Sequence, residues 1–373
     1  MPIAFEQVSY SYSAPAKKKR RRKGDADSGG FDALVEPGAA SVGADSASPC
    51  AIDTAKSDGA DAPKPLWGNP AGKTWALCNI TFTLEDGEFL GIAGHTGSGK
   101  STLIQHMNGL IHPTSGRVLV DGVDIADKKA AAAARSNVGV VFQYPEHQLF
   151  AATVYDDVAF GPRNMGLAAS EVDARVRESL AQVALDFDEI RDKSPFELSG
   201  GQQRRVAFAG VLAMRPTKLI LDEPVAGLDP AARNDFLNLI SDLHESGLTV
   251  VMVSHTMDDL ARYCDRVLVL KEGSLFTLGT PAEVFSHASE LRDIGLGVPS
   301  AQKLANDLRE AGIHLNGELY DTQSLADALA TLYRKRSSAS PDALDVPNAQ
   351  EEPRTADAPF ASGIEGNEAS CPK

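Results

Sequence analysis

The chain has 373 residues, of which 43% are hydrophobic, so it can bury a substantial core. Its formal net charge of -15 argues against a nucleic-acid-binding protein, because such proteins usually present a basic face. No apolar run approaches the roughly 18 to 20 residues that span a bilayer, and the N-terminus lacks the pattern of a signal peptide. We therefore expect any role at a membrane to be peripheral.

The first regular pattern is the alternation of apolar and polar residues over 3–12, which predicts a half-buried strand. The pattern stops at the basic run 17–23, and residues 14–66 as a whole are mainly Ala, Asp, Ser, Gly and Pro. Such a composition buries too little surface to offset its chain entropy, so it predicts a disordered insertion. We interpret the basic run as a solvated charge run, with weak attraction to an anionic membrane surface as the second interpretation.

Order is predicted to resume at residue 67, and residues 67–280 together with 1–13 are predicted to form one domain. Short apolar strands alternate there with stretches of helical spacing, which predicts an α/β fold with a mainly parallel sheet covered on both faces. A small antiparallel β part near the N-terminus and a helical subdomain at about 146–214 are expected to complete this domain. The apolar strands are predicted at 90–93, 138–142, 219–221 and 250–253.

The chain beyond Pro281 has amphipathic helical spacing to about residue 336, which predicts a C-terminal helical extension. Residues 337–373 are rich in Ser, Pro, Ala, Asp and Glu and are predicted to be a disordered tail. The positions expected to be buried in the extension are Leu291, Ile294, Leu304, Leu308, Leu325, Leu329 and Leu332.

A phosphate-binding loop is predicted at residues 94–101, which fit the pattern G-x-x-x-x-G-K-[ST]. The apolar strand before it and the helix after it favour this interpretation over a Gly-rich turn with a chance lysine. Backbone N–H groups of such a loop surround phosphate oxygens, and the helix N-terminus adds partial positive charge. Lys100 would reach the β and γ phosphates, Ser101 would ligate Mg²⁺, and Thr102 would hold the α phosphate. The remaining members of the loop are Gly94, His95, Thr96, Gly97, Ser98 and Gly99.

A buried strand at 219–221 ends in two acids, Asp222 and Glu223, and paired carboxylates at such a position usually serve a cation or a reaction. Asp222 would hold Mg²⁺, and Glu223 would act as the general base that activates water.

A second anion site is predicted where Ser199, Gly200, Gly201 and Gln202 precede a helix. An ordinary helix cap is the alternative. Two phosphate sites with one lysine loop are unusual for a monomer, so we expect this segment to complete the ATP pocket of a partner subunit.

In this order, the segments 94–102, 140–143, 198–202, 219–224, 226–229 and 253–255 resemble the motifs of the ABC ATPase family. The resemblance implies that Gln143 senses Mg²⁺ and the attacking water, and that Asp229 lies in a loop contacting the partner subunit. It also implies that His255 bonds the γ phosphate and holds Glu223 and water in line. Tyr12 matches the aromatic residue that stacks on adenine, with Tyr10 as the alternative.

The segments 143–150, 158–162 and 195–198 more narrowly resemble the ATPases of energy-coupling-factor importers, which move vitamins or metal ions. His95 and the helical extension resemble the second ATPase subunit of those heterodimers. The resemblance implies a peripheral ATPase at the cytoplasmic face of the cell membrane, with ATP and Mg²⁺ as cofactors. It implies three partners: a second ATPase subunit in a homo- or heterodimer, a transmembrane coupling subunit and, indirectly, a membrane substrate-capture subunit. The alternative function is a non-transport, single-cassette ABC ATPase in assembly or repair.

The segment from Tyr144 to Phe160 contains more large apolar side chains than a surface loop needs. Part of it is expected to pack on the core, and the rest is expected to form a groove for a coupling helix of the membrane subunit. We expected Leu149 to lie in that groove.

Overall fold

The computed structural model describes residues 2–12, 75–127, 131–315, 317 and 319–339. The predicted insertion 14–66, with its basic run, and residues 340–373 of the predicted tail 337–373 lie outside the described residues, whereas 337–339 belong to the last helix. The strands are β1 (Ile3–Ser11), β2 (Trp75–Leu84), β3 (Phe89–Gly94), β4 (Ser115–Val120), β5 (Val123–Asp124), β6 (Val138–Val141), β7 (Lys218–Asp222), β8 (Thr249–Val253), β9 (Arg266–Lys271) and β10 (Ser274–Gly279).

Helices flank these strands along most of the described chain, and two short 3-10 helices occur at Pro145–Gln148 and Pro195–Glu197. The α-helices are α1 (Lys100–Met107), α2 (Ala131–Ser136), α3 (Val154–Asn164), α4 (Ala169–Gln182), α5 (Phe187–Ile190), α6 (Gly200–Leu212), α7 (Pro230–Glu245), α8 (Met257–Tyr263), α9 (Pro281–Ser286), α10 (Ala288–Asp293), α11 (Ser300–Glu310) and α12 (Thr322–Ala339).

The larger sheet has the strand order β10-β9-β3-β8-β7-β6 among the described residues. All of its neighbouring strands pair in parallel except β9 and β10, which form an antiparallel hairpin. The central strands β3 and β8 are buried along their whole length, as expected for a parallel sheet covered on both faces. The predicted α/β fold with a mainly parallel sheet is confirmed.

The smaller sheet is antiparallel, in the order β2-β1-β4-β5. Its inner face and α1 pack against one face of the parallel sheet, through residues such as Phe5, Leu77 and Ile92. The other face of the parallel sheet packs against α3, α4, α6 and α7. The carboxyl ends of β3, β6, β7 and β8 therefore open between these layers, which is where ligands of such sheets usually bind.

The C-terminal helices include their own small apolar cluster, in which Ala301 and Ala305 of α11 pack near Leu325 of α12. The expectation that Leu304 is buried was wrong, because 46% of its surface is exposed. Ala301 and Ala305 are one helical turn apart and define the buried face of α11. Leu304 is rotated about 100° from Ala305, since the helix has about 3.6 residues per turn.

Candidate functional site

The loop between β3 and α1 has backbone angles that glycine adopts easily and that would be strained for other residues. Gly97 and Gly99 have φ values of 82° and 103°, in the left-handed region. A Cβ atom at Gly99 would lie 2.6 Å from the backbone oxygen of Ala76, so the approach of β2 also requires glycine there. The loop can therefore present its amide groups at the N-terminus of α1, which is a suitable geometry for an anion.

Lys100 begins α1 and turns its buried side chain back over the loop. Its Nζ donates hydrogen bonds to the backbone oxygens of Gly94 and His95, at 2.6 and 3.0 Å. Burial lowers the pKa of the Lys100 ammonium, and the nearby carboxylates of Glu223 and Asp222 act in the opposite direction. The loop and the acidic strand end thus share one electrostatic environment.

The hydroxyl-bearing residues of the loop occupy different environments. The Ser98 Oγ is buried and has no hydrogen-bond partner among the described residues. Ser101 is exposed in the first turn of α1, whereas Thr102 is buried. Thr96 is also exposed, and its backbone oxygen lies 2.7 Å from Nδ1 of His95. An unpartnered buried hydroxyl is costly, so the Ser98 Oγ indicates a group that could still accept a partner.

Gln143, Glu223 and His255, which follow three neighbouring parallel strands, come together at one point. The Nε2 of His255 lies 2.5 Å from Glu223 Oε1. Gln143 donates a hydrogen bond from Nε2 to Glu223 Oε2, at 3.3 Å. The Glu223 carboxylate is therefore held by one neighbour on each oxygen.

Glu223 has a left-handed backbone with φ 51°, directly after the last residue of β7. Its N–H donates to the Val253 oxygen, so the strained residue stays anchored to the end of β8.

Asp222 precedes Glu223 and is partly buried at the end of β7. Burial and the adjacent Glu223 charge raise the pKa of the Asp222 carboxyl, while Lys100 and His255 lower it. A carboxylate in this environment is incompletely compensated, which favours binding of a cation.

The segment predicted to serve a partner lies at the exposed N-terminus of α6. Ser199 is the N-cap, its side chain accepts a hydrogen bond from the Gln202 amide, and the Gln202 side chain reciprocates in a capping box. Gly200 and Gly201 are exposed and have open space where a Cβ would lie. The hydrogen bonds of Ser199 and Gln202 are thus mutual, and the helix end faces solvent.

Asp229 is exposed and caps α7, where its carboxylate accepts hydrogen bonds from the Ala231 and Ala232 amides, both at 3.0 Å. The cap fixes the end of the loop that begins at Glu223. Gly227 and Pro230, on either side of Leu228 and Asp229, are exposed as well.

The two aromatic candidates for adenine differ in exposure. Tyr12 is 66% exposed, and its hydroxyl lies 3.0 Å from Oγ1 of Thr102, in the helix that follows the phosphate loop. Tyr10 is half-buried and packs against the core of the smaller sheet. The exposed ring beside the loop is therefore Tyr12.

Residues 77–226 match the family described as ABC transporter. The energy-coupling factor transporter ATP-binding protein EcfA2 of Symbiobacterium thermophilum is 60% identical over 238 residues, covering 64% of this chain and 82% of the relative. The protein of the same description from Clostridium perfringens is 51% identical over 264 residues, covering 70% and 93%.

The chain belongs to the ATP-binding proteins of energy-coupling factor transporters, within the ABC transporter family. The predicted family and ATPase class are thereby confirmed.

Solved structures of ABC cassettes agree with this family assignment. The structure of cbiO1 from Clostridium perfringens, part of the ABC transporter complex cbiONQ, has a TM-score of 0.55 and 39% identity, covering 65% of this chain and 95% of its own. A bacterial ABC transporter cassette solved as a dimer has a TM-score of 0.53 and 25% identity, covering 75% and 98%.

The ion pair between Arg204 and Glu146, which contacts the segments that contain the site residues, was not predicted from the sequence. Arg204 of α6 is buried and makes a two-pronged contact with Glu146, through Nε at 3.0 Å and through its terminal nitrogen at 2.9 Å. Arg204 also donates to the backbone oxygens of Pro224 and Ala226. It therefore ties α6 to the segment after Gln143 and to the loop after Glu223. The sequence does not show that Arg204 is buried, and its partner lies 58 residues away in the chain.

The placement of Leu149 differs from expectation. Its side chain is only 7% exposed and belongs to the larger core, so the prediction that it lines a docking groove was wrong. The neighbouring Phe150 is 60% exposed and makes an edge contact with Phe160, which is 50% exposed. Leu149 follows a 3-10 turn in extended backbone, so successive side chains point in opposite directions.

Proposed function

We propose that this chain binds MgATP, hydrolyses it together with a second ATPase subunit, and powers an energy-coupling-factor importer of vitamins or metal ions. The observation that carries the proposal is the Glu223 carboxylate, held between Gln143 and His255 at the end of β7. A carboxylate restrained in this way, beside a phosphate loop, suits a general base for water.

The phosphate groups are proposed to be held by residues 94–102. The Lys100 ammonium would exchange its contacts with the Gly94 and His95 oxygens for phosphate oxygens, and the amides of the loop would donate to the same groups. The buried Ser98 Oγ, which lacks a partner, fits a loop that is completed by a ligand. Thr102 would hold the α phosphate, and the exposed Tyr12 ring would stack on adenine.

Magnesium is proposed to be held by the Ser101 hydroxyl, the Gln143 side-chain oxygen and the Asp222 carboxylate. This donor set fits the ion, because Mg²⁺ in nucleotide sites prefers oxygen ligands and takes one or two carboxylates together with phosphate oxygens. The partly buried Asp222, whose pKa is raised by burial, supports a cation in the same place. When bound, the ion neutralises negative charge on the phosphates.

In hydrolysis, Glu223 would accept a proton from the attacking water. His255, in contact with Glu223 Oε1, would keep the carboxylate oriented and bond the γ phosphate. Gln143, which donates to the other oxygen of the same carboxylate, would orient the attacking water. The left-handed backbone of Glu223, anchored to Val253, keeps this side chain in a fixed position relative to β8.

The exposed N-terminus of α6 supports a composite site between two subunits. Ser199, Gly200, Gly201 and Gln202 lie on the surface, with mutual capping bonds and open space around the glycines, so they can face a partner's nucleotide. Asp229, exposed at the start of α7, would contact the same partner. The relative solved as a dimer supports pairing of this kind, in a homo- or heterodimer.

Two membrane partners are proposed beyond the ATPase pair: a transmembrane coupling subunit and a substrate-capture subunit. The relative cbiO1, described as part of the ABC transporter complex cbiONQ, supports an assembly of this kind. Within the described residues, no helix is both long enough and apolar enough to cross a bilayer. The chain is proposed to act as a peripheral subunit at the cytoplasmic face of the cell membrane.

The test is the substitution Glu223→Gln, which keeps the shape and removes the base. ATP binding is expected to persist while phosphate release falls by about 100-fold or more, and ATP is expected to trap a closed dimer. The measurements are steady-state phosphate release and size-exclusion chromatography in ATP, with Glu245→Gln as the control. Near-normal turnover of the Glu223→Gln protein would reject the proposed base.

A further inference from the structure

Four residues form a closed ring of contacts on and beside the helix that follows the phosphate loop. The Tyr12 hydroxyl lies 3.0 Å from Thr102 Oγ1, and the Thr102 backbone oxygen lies 2.7 Å from Nδ1 of His106. The His106 ring meets the Tyr10 ring edge to face, with centroids 4.9 Å apart. Tyr10 meets Tyr12 in the same manner, also at 4.9 Å. The path from Tyr12 through Thr102, His106 and Tyr10 thus returns to Tyr12.

His106 is the buried member of this ring, with no exposed surface. Because the Thr102 carbonyl accepts, the Nδ1 of His106 carries a proton and donates to it. Its Nε2 is buried, and no hydrogen-bond partner for it occurs in the part of the chain that the structure describes. Burial lowers the pKa of the imidazole, although the bond to Thr102 acts in the opposite direction, so the ring is held in its neutral form.

A buried imidazole with one unpartnered nitrogen is a poor choice for packing alone. A leucine would fill similar space in α1 without leaving a buried polar atom unsatisfied. What a leucine could not supply is the donor to Thr102 together with an aromatic edge for Tyr10. These two contacts connect His106 to both residues that flank Tyr12.

Tyr12 needs this support because its ring is 66% exposed and lies just beyond the end of β1 at Ser11. An exposed aromatic side chain at a strand end would otherwise sample several rotamers and lose that freedom when a base stacks on it. These contacts hold Tyr12 at two points, its hydroxyl and its aromatic ring.

We propose that His106 is a positioning residue for the adenine base, which it serves by holding Tyr10 and Thr102 in the places that orient Tyr12. The inference rests on the proposed stacking of adenine on Tyr12. His106 does not contact the nucleotide. It lowers the ordering cost of Tyr12, the residue that does. Because His106 bonds the Thr102 backbone oxygen and not its hydroxyl, its effect is expected at the base and not at the α phosphate proposed for Thr102.

The test compares two probes on the full chain: the non-hydrolysable ATP analogue adenylyl imidodiphosphate and inorganic tripolyphosphate, both with MgCl₂. Dissociation constants are measured by calorimetry for His106→Asn, which keeps a donor to Thr102 but loses the ring, and for His106→Phe, which keeps the ring. The control is His112→Asn, an exposed histidine six positions further along the chain. Each variant is also made with Tyr12→Ala, and folding is checked by thermal melting.

The His106→Asn protein is expected to bind the ATP analogue about 2- to 10-fold more weakly, the range of one lost aromatic pair, and tripolyphosphate unchanged. His106→Phe is expected to lose less, and the Tyr12→Ala background is expected to abolish the effect of either change. If His106→Asn does not fold, His106→Phe and Tyr10→Leu carry the same comparison.

Three outcomes overturn the inference. Equal weakening of both probes would place the effect in the phosphate loop. If the His106 variants bind the ATP analogue normally and Tyr12→Ala binds it more weakly, the positioning role of His106 is rejected while the adenine contact of Tyr12 stands. Unchanged affinity in Tyr12→Ala would reject the adenine contact and this inference with it, while binding by Lys100→Ala would separately test the phosphate site.

Discussion

At the scale of single residues, the Lys100 ammonium is subject to opposing influences. Burial disfavours its charge, whereas the carboxylates of Glu223 and Asp222 favour it, and two backbone oxygens accept hydrogen bonds from it. A charged group in this position gains from any additional anion that reaches the loop.

The substitution Lys100→Ala is expected to weaken MgATP binding about 10- to 100-fold, because hydrogen bonds to a charged group contribute about 1.5–3 kcal/mol. Binding of labelled MgATP to the purified protein measures this. Lys193→Ala removes an exposed lysine that pairs with Glu189 and is the matched control, expected to bind normally. Unchanged affinity in Lys100→Ala would contradict the proposed phosphate site.

At the scale of elements, α6 is joined to two catalytic segments by the buried Arg204. Only 4% of the Arg204 side chain and 18% of the Glu146 side chain are exposed. Burial alone would raise the pKa of the Glu146 carboxyl, but the hydrogen bonds from Arg204 outweigh it and hold that pKa below its usual value. The pair therefore links the position of the helical layer to the loops that contain Gln143 and Glu223.

The substitution Glu146→Gln is expected to lower the free energy of unfolding by about 3 kcal/mol at neutral pH. This is the lower end of the range for breaking a buried pair, since Arg204 keeps two carbonyl acceptors. A folded-state pKa below the unfolded value stabilises the protein above the unfolded pKa and loses that contribution as pH falls through the folded value. The difference from wild type should therefore shrink below about pH 4, near the ordinary glutamate pKa.

Urea unfolding at several pH values measures this change. The control is Glu189→Gln, which breaks an exposed pair with Lys193 and should cost less than about 1 kcal/mol. A destabilisation in Glu146→Gln that persists unchanged at acid pH would show that charge is not its cause.

A second link between elements involves the C-terminal helices. Asp258, in the first turn of α8, accepts hydrogen bonds from both the backbone N–H and the hydroxyl of Ser300, at 2.8 and 3.0 Å. Ser300 begins α11, whose own N-cap residue, Pro299, provides no side-chain cap. Asp258 therefore caps a helix of the extension from the element that follows His255.

At the scale of the whole molecule, the exposed pair Phe150 and Phe160 offers a surface on which docking of the proposed coupling subunit can be tested. Phe150 is fixed by its own backbone, because its N–H and that of Ala151 donate to Asp157 in the first turn of α3. Gln143 lies a few residues before it in the same segment. A partner that docks on these aromatic rings would thus be close in sequence to the residue that contacts Glu223.

The substitution Phe150→Glu is expected to weaken assembly with the proposed coupling subunit by about 10-fold or more and to leave basal ATPase activity within about 2-fold, as for a buried anchor at an interface. Pull-down of that subunit and the ATPase rate are measured together. Leu110→Glu, at an apolar residue that is 59% exposed elsewhere on the surface, is the control. Normal assembly and transport in Phe150→Glu would show that these rings are not the docking site.

The composite site is also a property of the assembled molecule. If the α6 N-terminus serves the opposite pocket, an isolated mixed homodimer of one Lys100→Ala subunit and one Ser199→Arg subunit has one intact site of two and should retain about half of the wild-type ATPase activity. The matched control is the isolated mixed dimer of a wild-type subunit with a subunit that has both substitutions, in which both sites are damaged. In a heterodimer, loss of activity should follow the opposite subunit. Full activity of a monomer would contradict the scheme.

The sequence by itself determined the alternation of strands and helices, the phosphate loop and the acidic strand end. These features depend on local rules, since a glycine-rich turn between an apolar strand and a helix has few other structural uses, and buried strands end visibly where charged residues begin. The resemblance to the ABC ATPase family, which the order of the motifs carries, predicts that Gln143 and His255 act together with Glu223.

Tertiary structure alone decided which side chains meet across long separations and which face of an element is buried. The Glu146–Arg204 pair and the ring from Tyr12 to His106 join segments 58 and 90 residues apart, and no local pattern encodes such partners. Leu149 is buried where exposure was expected, and Leu304 is exposed where burial was expected. In each case the reason is that one residue along an extended segment or a helix turns the side chain to another face. Periodicity predicts that a face is buried, and packing against a neighbour decides which one.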